Sequence, residues 1–391
     1  MIAEPRIYLD YHATTPVDPR VAAVVIHHMT TGFGNASSVD HAFGDEAADA
    51  VSSARAEVAK LVGASPRSVV FTSGATESIN LAIRGLARSA AMRRTGRPVR
   101  IGVSPLEHRA VLDCCEALEA EGLASLTSFR VQPTGQLDME DFEASCDGID
   151  VACVMAANNE IGTIYPLEEI GAICSRRGVL LISDATQAAG KIPLEFEAWG
   201  VGMMALTAHK MYGPKGVGAL LVSPGIELEP MIRGGGHQRG LRSGTLNVPG
   251  IAGFGLACRL RGEEMAVDEL GIAQQRNRLE SRLRELIPEL VVNGDPHHRL
   301  SGNLHVCVAG VPNTAVVART RHRLAISTGS ACSSGTVAQS HVLRALGLSE
   351  DVLEGALRFG IGKFTTDDEV ELAAVLVGEA VNEVRGALGG S

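Results

Sequence analysis

At 391 residues, with 45% hydrophobic and 20% charged residues, the chain has the composition of a globular protein with room for a large and a small domain. A net charge of −10 excludes a general nucleic-acid-binding surface, which needs clustered Lys and Arg, and leaves room for a basic patch toward one partner. Apolar runs such as 179–182 are too short to cross a bilayer, and residues 1–6 lack a basic head followed by an apolar stretch. The expectation is a cytoplasmic protein without membrane contact.

The eight cysteines are scattered, and only Cys114 and Cys115 are adjacent. No C-x-x-C spacing suggests zinc or a redox dithiol, so most are expected to be buried, inert thiols. The lysines are few: Lys60, Lys191, Lys210, Lys215 and Lys363. Any covalent lysine chemistry must use one of these.

Short apolar runs alternate with amphipathic segments from about residue 16 to 260. In chain order the pattern predicts a strand at 69–72, a helix at 77–88, a strand at 101–104, a helix at 110–121, a strand at 151–155 and a helix at 167–177. Strands at 179–183, 203–207 and 217–222 follow. A helical pattern then spans 248–287, with Gly253, Gly255, Gly262 and Gly271 as candidate breaks. Beyond it lie a strand at 303–308, a Gly- and Ser-rich loop at 327–335, and helices near 339–346 and 367–385. Strands separated by helices predict an α/β fold, a mainly parallel sheet covered on both faces, with a smaller α+β domain. Residues 16–262 are assigned to the large domain, and 1–15 with 263–391 to the small one.

Ligands of such sheets sit beyond the C-terminal ends of the strands, and four segments there carry chemistry. In the first, the strand at 69–72 runs into Ser73-Gly74-Ala75-Thr76 and a helix, whose free N–H groups suit a phosphate; an ordinary helix cap would look the same. In the second, Asp184 directly follows a strand, where its carboxylate could keep a pyridine nitrogen protonated or merely cap the next turn. The third is Thr207-Ala208-His209-Lys210, again at a strand end. Lys210 there could form a Schiff base with an aldehyde cofactor, with Thr207 and His209 at its phosphate, or be a solvated loop charge like Lys215. In the fourth, Cys332 sits in Ser330-Ala331-Cys332-Ser333, a setting that suits a travelling nucleophile better than a core thiol.

Together with Tyr8-Leu9-Asp10-Tyr11-His12-Ala13-Thr14-Thr15-Pro16, Glu107-His108, Asn158-Asn159-Glu160-Ile161-Gly162, residues 234–245 and Arg358-Phe359, these segments resemble the cysteine desulfurases of the NifS/IscS type. The resemblance runs over nearly the whole chain. It implies a fold type I enzyme dependent on pyridoxal 5'-phosphate (PLP), which converts L-cysteine to L-alanine and leaves the sulfur as a persulfide on Cys332. Lys210 is similar to the lysine that holds the cofactor, Asp184 to the partner of its ring nitrogen and His108 to the histidine that stacks on the ring and relays protons. Asn159 and Gln187 match contacts to the ring hydroxyl, and Gly74, Ala75, Thr76, Thr207 and His209 match contacts to the phosphate. Thr245 is similar to a residue that reaches the phosphate of a partner subunit, which implies a homodimer. Asn35 and Arg358 match positions that hold the substrate carboxylate, a task suited to a guanidinium fork.

The chain departs from the family pattern at His12, where a smaller or amide side chain is common, at Asp40, at Ala156-Ala157 and at Thr207-Ala208. Its C-terminal end does not resemble the family tail that docks a scaffold protein. The sulfur acceptor, an iron–sulfur scaffold or another partner protein, is therefore open, as is the route to cluster assembly, tRNA thiolation, cofactor synthesis or DNA phosphorothioation. Alternatives are a selenocysteine lyase, an aminotransferase, or a non-catalytic sulfur carrier that keeps the fold.

Overall fold

The structure is a computed structural model that describes residues 6–328 and 340–389. Cys332 and its neighbours lie outside the described residues. The strands in chain order are β1 (Ile7–Tyr8), β2 (Val69–Thr72), β3 (Val99–Val103), β4 (Ala124–Ser128), β5 (Val151–Cys153) and β6 (Leu180–Asp184). They continue with β7 (Met203–Thr207), β8 (Gly218–Val222), β9 (Val291–Val292), β10 (Asn303–Cys307), β11 (Leu324–Ala325) and β12 (Ala356–Gly360).

Seven of them form one sheet in the order β2-β8-β7-β6-β5-β3-β4. All pairings are parallel except those of β8, which runs antiparallel to both β2 and β7. The reason is local: the short segment 208–217, with no crossover helix, joins β7 to β8, and a parallel return needs a longer connection. The period-2 alternation of strand side chains splits the core into two layers. Val69, Phe71, Ala152, Met204 and Leu206 pack on one face, whereas Val70, Val151, Cys153, Met203 and Ala205 pack on the other. The helices Ala75–Ala87 and Arg109–Ala120 cover the second face.

The helical pattern predicted at 248–287 is one unbroken 39-residue helix, Val248–Leu286. Its glycines do not break it. Gly253 and Gly255 lie where other helices press closest: a Cβ on Gly253 would sit 2.6 Å from Val25 Cγ2, and one on Gly255 would strike the backbone of Ala54. They are packing positions, and Gly262 and Gly271 face open space. This helix crosses the boundary expected at 262. Its second half packs Ile272, Leu279 and Leu283 against a separate core around the antiparallel sheet β12-β10-β9. β1 also belongs to that core and pairs in parallel with β11. Among the described residues no helix is long and apolar enough to cross a membrane.

Candidate active site

The C-terminal ends of β2, β6 and β7 lie on one edge of the large sheet, and each delivers one of the predicted segments there. At the end of β2, Gly74 adopts φ +154° and starts the helix Ala75–Ala87 without any side-chain cap. The first N–H groups of that helix are left to a ligand. A Cβ on Gly74 would meet only Thr207 Oγ1, at 4.0 Å, so the two segments face each other across a space that glycine keeps clear. Gly218 on β8 permits the approach, since a Cβ there would lie 2.7 Å from Gly74 Cα. Thr76 is exposed and Thr207 is buried.

Asp184 closes β6, only 8% exposed, with Oδ1 accepting from the Thr186 N–H at 2.9 Å. Lys210 follows β7, and its Nζ donates to the carbonyl oxygens of His12 and, at 2.7 Å, Ala13. His209 Nδ1 meets Thr14 Oγ1 at 3.1 Å, and burial, then the charge of Lys210, hold the ring down at about 4, neutral at pH 7. His108 caps the helix Arg109–Ala120: its Nδ1 accepts from the Ala110 N–H at 3.1 Å, which leaves Nε2–H as the ring's donor. Glu107 beside it is buried, one oxygen accepting from Met155 N–H at 2.6 Å and the other without a partner among the described residues; burial raises its pKa well above the ordinary carboxylate value.

Arg358, on β12, is buried. Its Nη2 pairs with Asp10 Oδ1 at 2.9 Å, its Nη1 donates to Asn159 O at 3.0 Å, and its Nε has no partner among the described residues. Asn159 thus enters the site through its carbonyl. Asn35 and Thr245 are exposed, and Asn35 Oδ1 accepts from its own Ser37 N–H at 3.0 Å. Among the described residues no hydrogen bond ties either to this cluster.

Sequence reasoning missed the layer beneath. Gln187 Oε1 takes Lys191 Nζ at 2.9 Å and His12 Nδ1 at 3.1 Å, while Gln187 Nε2 donates to His12 O at 2.9 Å. Burial depresses Lys191 to about 7 and raises its neighbour Glu269 to about 7. Arg261 in turn pairs with Glu269 at 2.9 Å. The one signal available was Lys191 itself, one of five lysines and four residues after Gln187.

The seven described cysteines are all buried, and none is in a disulfide. Burial pushes the thiols of Cys114 and Cys174 up to about 12 and that of Cys307 up to about 11, far from thiolate character. No metal-holding cluster occurs among the described residues.

A buried carboxylate, an amine and an uncapped helix end on one sheet edge suit a ligand with a cationic ring, an aldehyde and a phosphate. That is the arrangement of the fold type I PLP enzymes. The chain belongs to the aminotransferase class-V family, whose model matches residues 7–372. It is 46% identical over 383 residues to the cysteine desulfurase IscS of Anaeromyxobacter dehalogenans, covering 97% of this chain and 93% of that one. Among solved structures it resembles a NifS-like protein (33% identity, TM-score 0.88, 96% of this chain and 99% of the other). It also resembles SspA in complex with cysteine, at 31% identity and TM-score 0.78 over 92% of this chain and 100% of the other.

Proposed function

We propose that the protein is a cysteine desulfurase that takes sulfur from L-cysteine onto Cys332 and releases L-alanine. The observation that carries this reading is the likeness to a cysteine desulfurase over 97% of the chain. The geometry around Lys210 agrees with it. PLP, held by Lys210, Asp184 and the turn Gly74-Ala75-Thr76 with Thr207 and His209, supplies an aldehyde for an amine and a protonated ring that takes up electrons from the substrate Cα.

The protein's residues do the rest. Arg358, turned by Asp10 and the Asn159 carbonyl, offers its Nε–H to the substrate carboxylate, with Asn35 as the second contact. Lys210 accepts the Cα proton as a free amine. His108, its Nδ1 already engaged by the Ala110 N–H, would pack its imidazole beside the cofactor and relay protons through Nε2. Cys332 attacks the substrate sulfur as a thiolate; the Cβ–S bond breaks, a Cys332 S–S bond forms, and Cβ gains the proton that completes alanine. Asp184 and Gln187 hold the ring nitrogen and ring hydroxyl.

The reading includes a homodimer in which Thr245 reaches the partner's phosphate. Exposed apolar side chains support it: Phe33, 64% exposed, stacks on Phe43 at 5.2 Å, with Ile26, Met29 and Val39 also exposed. A surface of that kind on a single chain marks an interface. Light scattering on the purified protein checks it. Seven buried thiols outside any disulfide suit a reducing compartment, in line with a cytoplasmic enzyme. The large domain at 16–262 carries the cofactor in this reading, and the remainder carries the Cys332 loop. The sulfur acceptor is a partner protein whose identity follows from neither the fold nor the site.

The deciding experiment incubates the protein with PLP, L-cysteine and a thiol reductant. Alanine and sulfide are expected in equal amounts; cysteine consumed without alanine would refute the reading.

A further inference from the structure

Gln187 sits between two donors and one acceptor that together leave its amide a single orientation. Lys191 Nζ and His12 Nδ1 both approach one end of the amide, at 2.9 and 3.1 Å. The other end approaches the His12 carbonyl at 2.9 Å. A carbonyl only accepts, so the end near His12 O must be Nε2 and the end near Lys191 Nζ must be Oε1. Reversal would set the amide oxygen against the His12 carbonyl oxygen inside a buried site, where an unmade hydrogen bond costs most. It would cost the His12 contact as well, because Nδ1–H would face a donor.

The same carbonyl of His12 also accepts from Lys210 Nζ. Gln187 Nε2 and the Lys210 amine therefore converge on one oxygen, and the second N–H of Gln187 is the group left to a ligand on that side. His12 is central to this and is the residue by which the chain departs from the smaller side chains common at that position. It is buried, its Nε2 has no partner among the described residues, and burial, then the nearby charges of Lys191, Arg358 and Lys210, lowers its pKa well below the ordinary imidazole value. A small buried cavity lined by His12, Lys191, Glu269, Thr15 and Tyr212 adjoins the group.

We propose that Lys191 is a positioning residue of the cofactor site, which with His12 locks the Gln187 amide so that it presents only an N–H donor to the ring hydroxyl oxygen. The inference rests on the reading that Gln187 contacts that oxygen. A fixed donor stabilises the oxygen as an anion; an amide free to turn presents its own oxygen half the time and withdraws that support. Lys191 acts through Gln187 and not as a bare charge.

The test is a pH titration of the absorbance of the PLP-loaded protein, in the wild type, Lys191→Met, Gln187→Ala and the double variant, with thermal melts confirming folding. Lys191→Met and Gln187→Ala are each expected to raise the midpoint by about one pH unit, and the double variant by no more than Gln187→Ala alone. An unchanged midpoint in Lys191→Met, or a further equal shift in the double variant, would overturn the proposal. Should Lys191→Met not fold, Lys191→Gln keeps an N–H donor without the charge and is expected to hold the wild-type midpoint; a shift as large as that of Gln187→Ala would count against the lock. A wild-type protein that takes up no PLP would bring down the functional reading together with this inference, whereas normal loading with a midpoint indifferent to Lys191 removes the inference alone.

Discussion

Asp10 and Arg358 are joined by an ion pair, Oδ1 to Nη2 at 2.9 Å, although 348 positions separate them in the chain. With Asn159 O at Nη1, the pair turns the guanidinium so that Nε–H is the edge without a partner among the described residues. Asp10→Asn removes the charge that sets this angle. The KM for L-cysteine is expected to rise about tenfold with a smaller change in kcat, the signature of lost substrate positioning. Steady-state alanine production reads it, and an unchanged KM would deny Asp10 the role.

Lys210 and Cys332 separate cleanly by experiment. Lys210→Ala is expected to lose the absorbance of covalently held PLP and at least about a thousandfold in rate, as an enzyme does without its covalent anchor and base. Cys332→Ala is expected to keep that absorbance and release no sulfide. Sulfide release from Cys332→Ala at the wild-type rate would take the thiol out of the reaction.

Two glycines predict opposite outcomes. A Cβ on Gly218 would press on Leu206 O and, at 2.7 Å, on Gly74 Cα. Gly218→Ala should therefore cost about 1–3 kcal/mol by urea denaturation and weaken PLP retention, because the displaced atoms belong to the phosphate turn. Gly262, inside the helix Val248–Leu286, faces open space. Gly262→Ala should stabilise by up to about 1 kcal/mol through helix propensity alone.

His305 governs part of the acid limb of stability. It lies on β10 opposite Arg358, fully buried, with Nδ1 at 3.0 Å from Asn293 Nδ2, and burial followed by the Arg358 charge lowers it to about 3. The unfolded chain takes a proton there below about pH 6.5 and the folded protein does not, so stability falls as pH drops through that window, by up to about 1.4 kcal/mol per pH unit. His305→Phe should remove one proton's worth of slope between pH 7 and 5. Parallel urea titrations of variant and wild type would expose the error if the slopes match.

The large sheet was legible because its strands are short, apolar and separated by amphipathic helices; β2 and β7 begin and end where the pattern puts them. β1, β4, β9, β11 and β12 were missed, three of them (β1, β9 and β11) being only two residues long and β4 largely solvent-facing on its own periodicity. The glycines of the long helix misled because composition cannot distinguish a helix break from a place where another backbone passes. Lys210, Asp184 and Gly74 were legible because each follows a strand directly. Lys191, Glu269 and Asp10 were not, because burial and a partner distant in sequence give them their character. Arg358 was recognised, but its pairing with Asp10 could only come from the fold.

The pairing of Ile7 with Leu324 and of Tyr8 with Ala325 sets a timetable for the newborn chain. His12 and Ala13, whose carbonyls receive the Lys210 amine, follow directly on a strand that has no neighbour until residues past 324 have left the ribosome. Until then the segment carrying those carbonyls lacks the strand pairing that anchors its N-terminal end. A truncated product ending before β11 would carry Lys210 but lose the strand pairing that anchors the segment leading to His12 and Ala13.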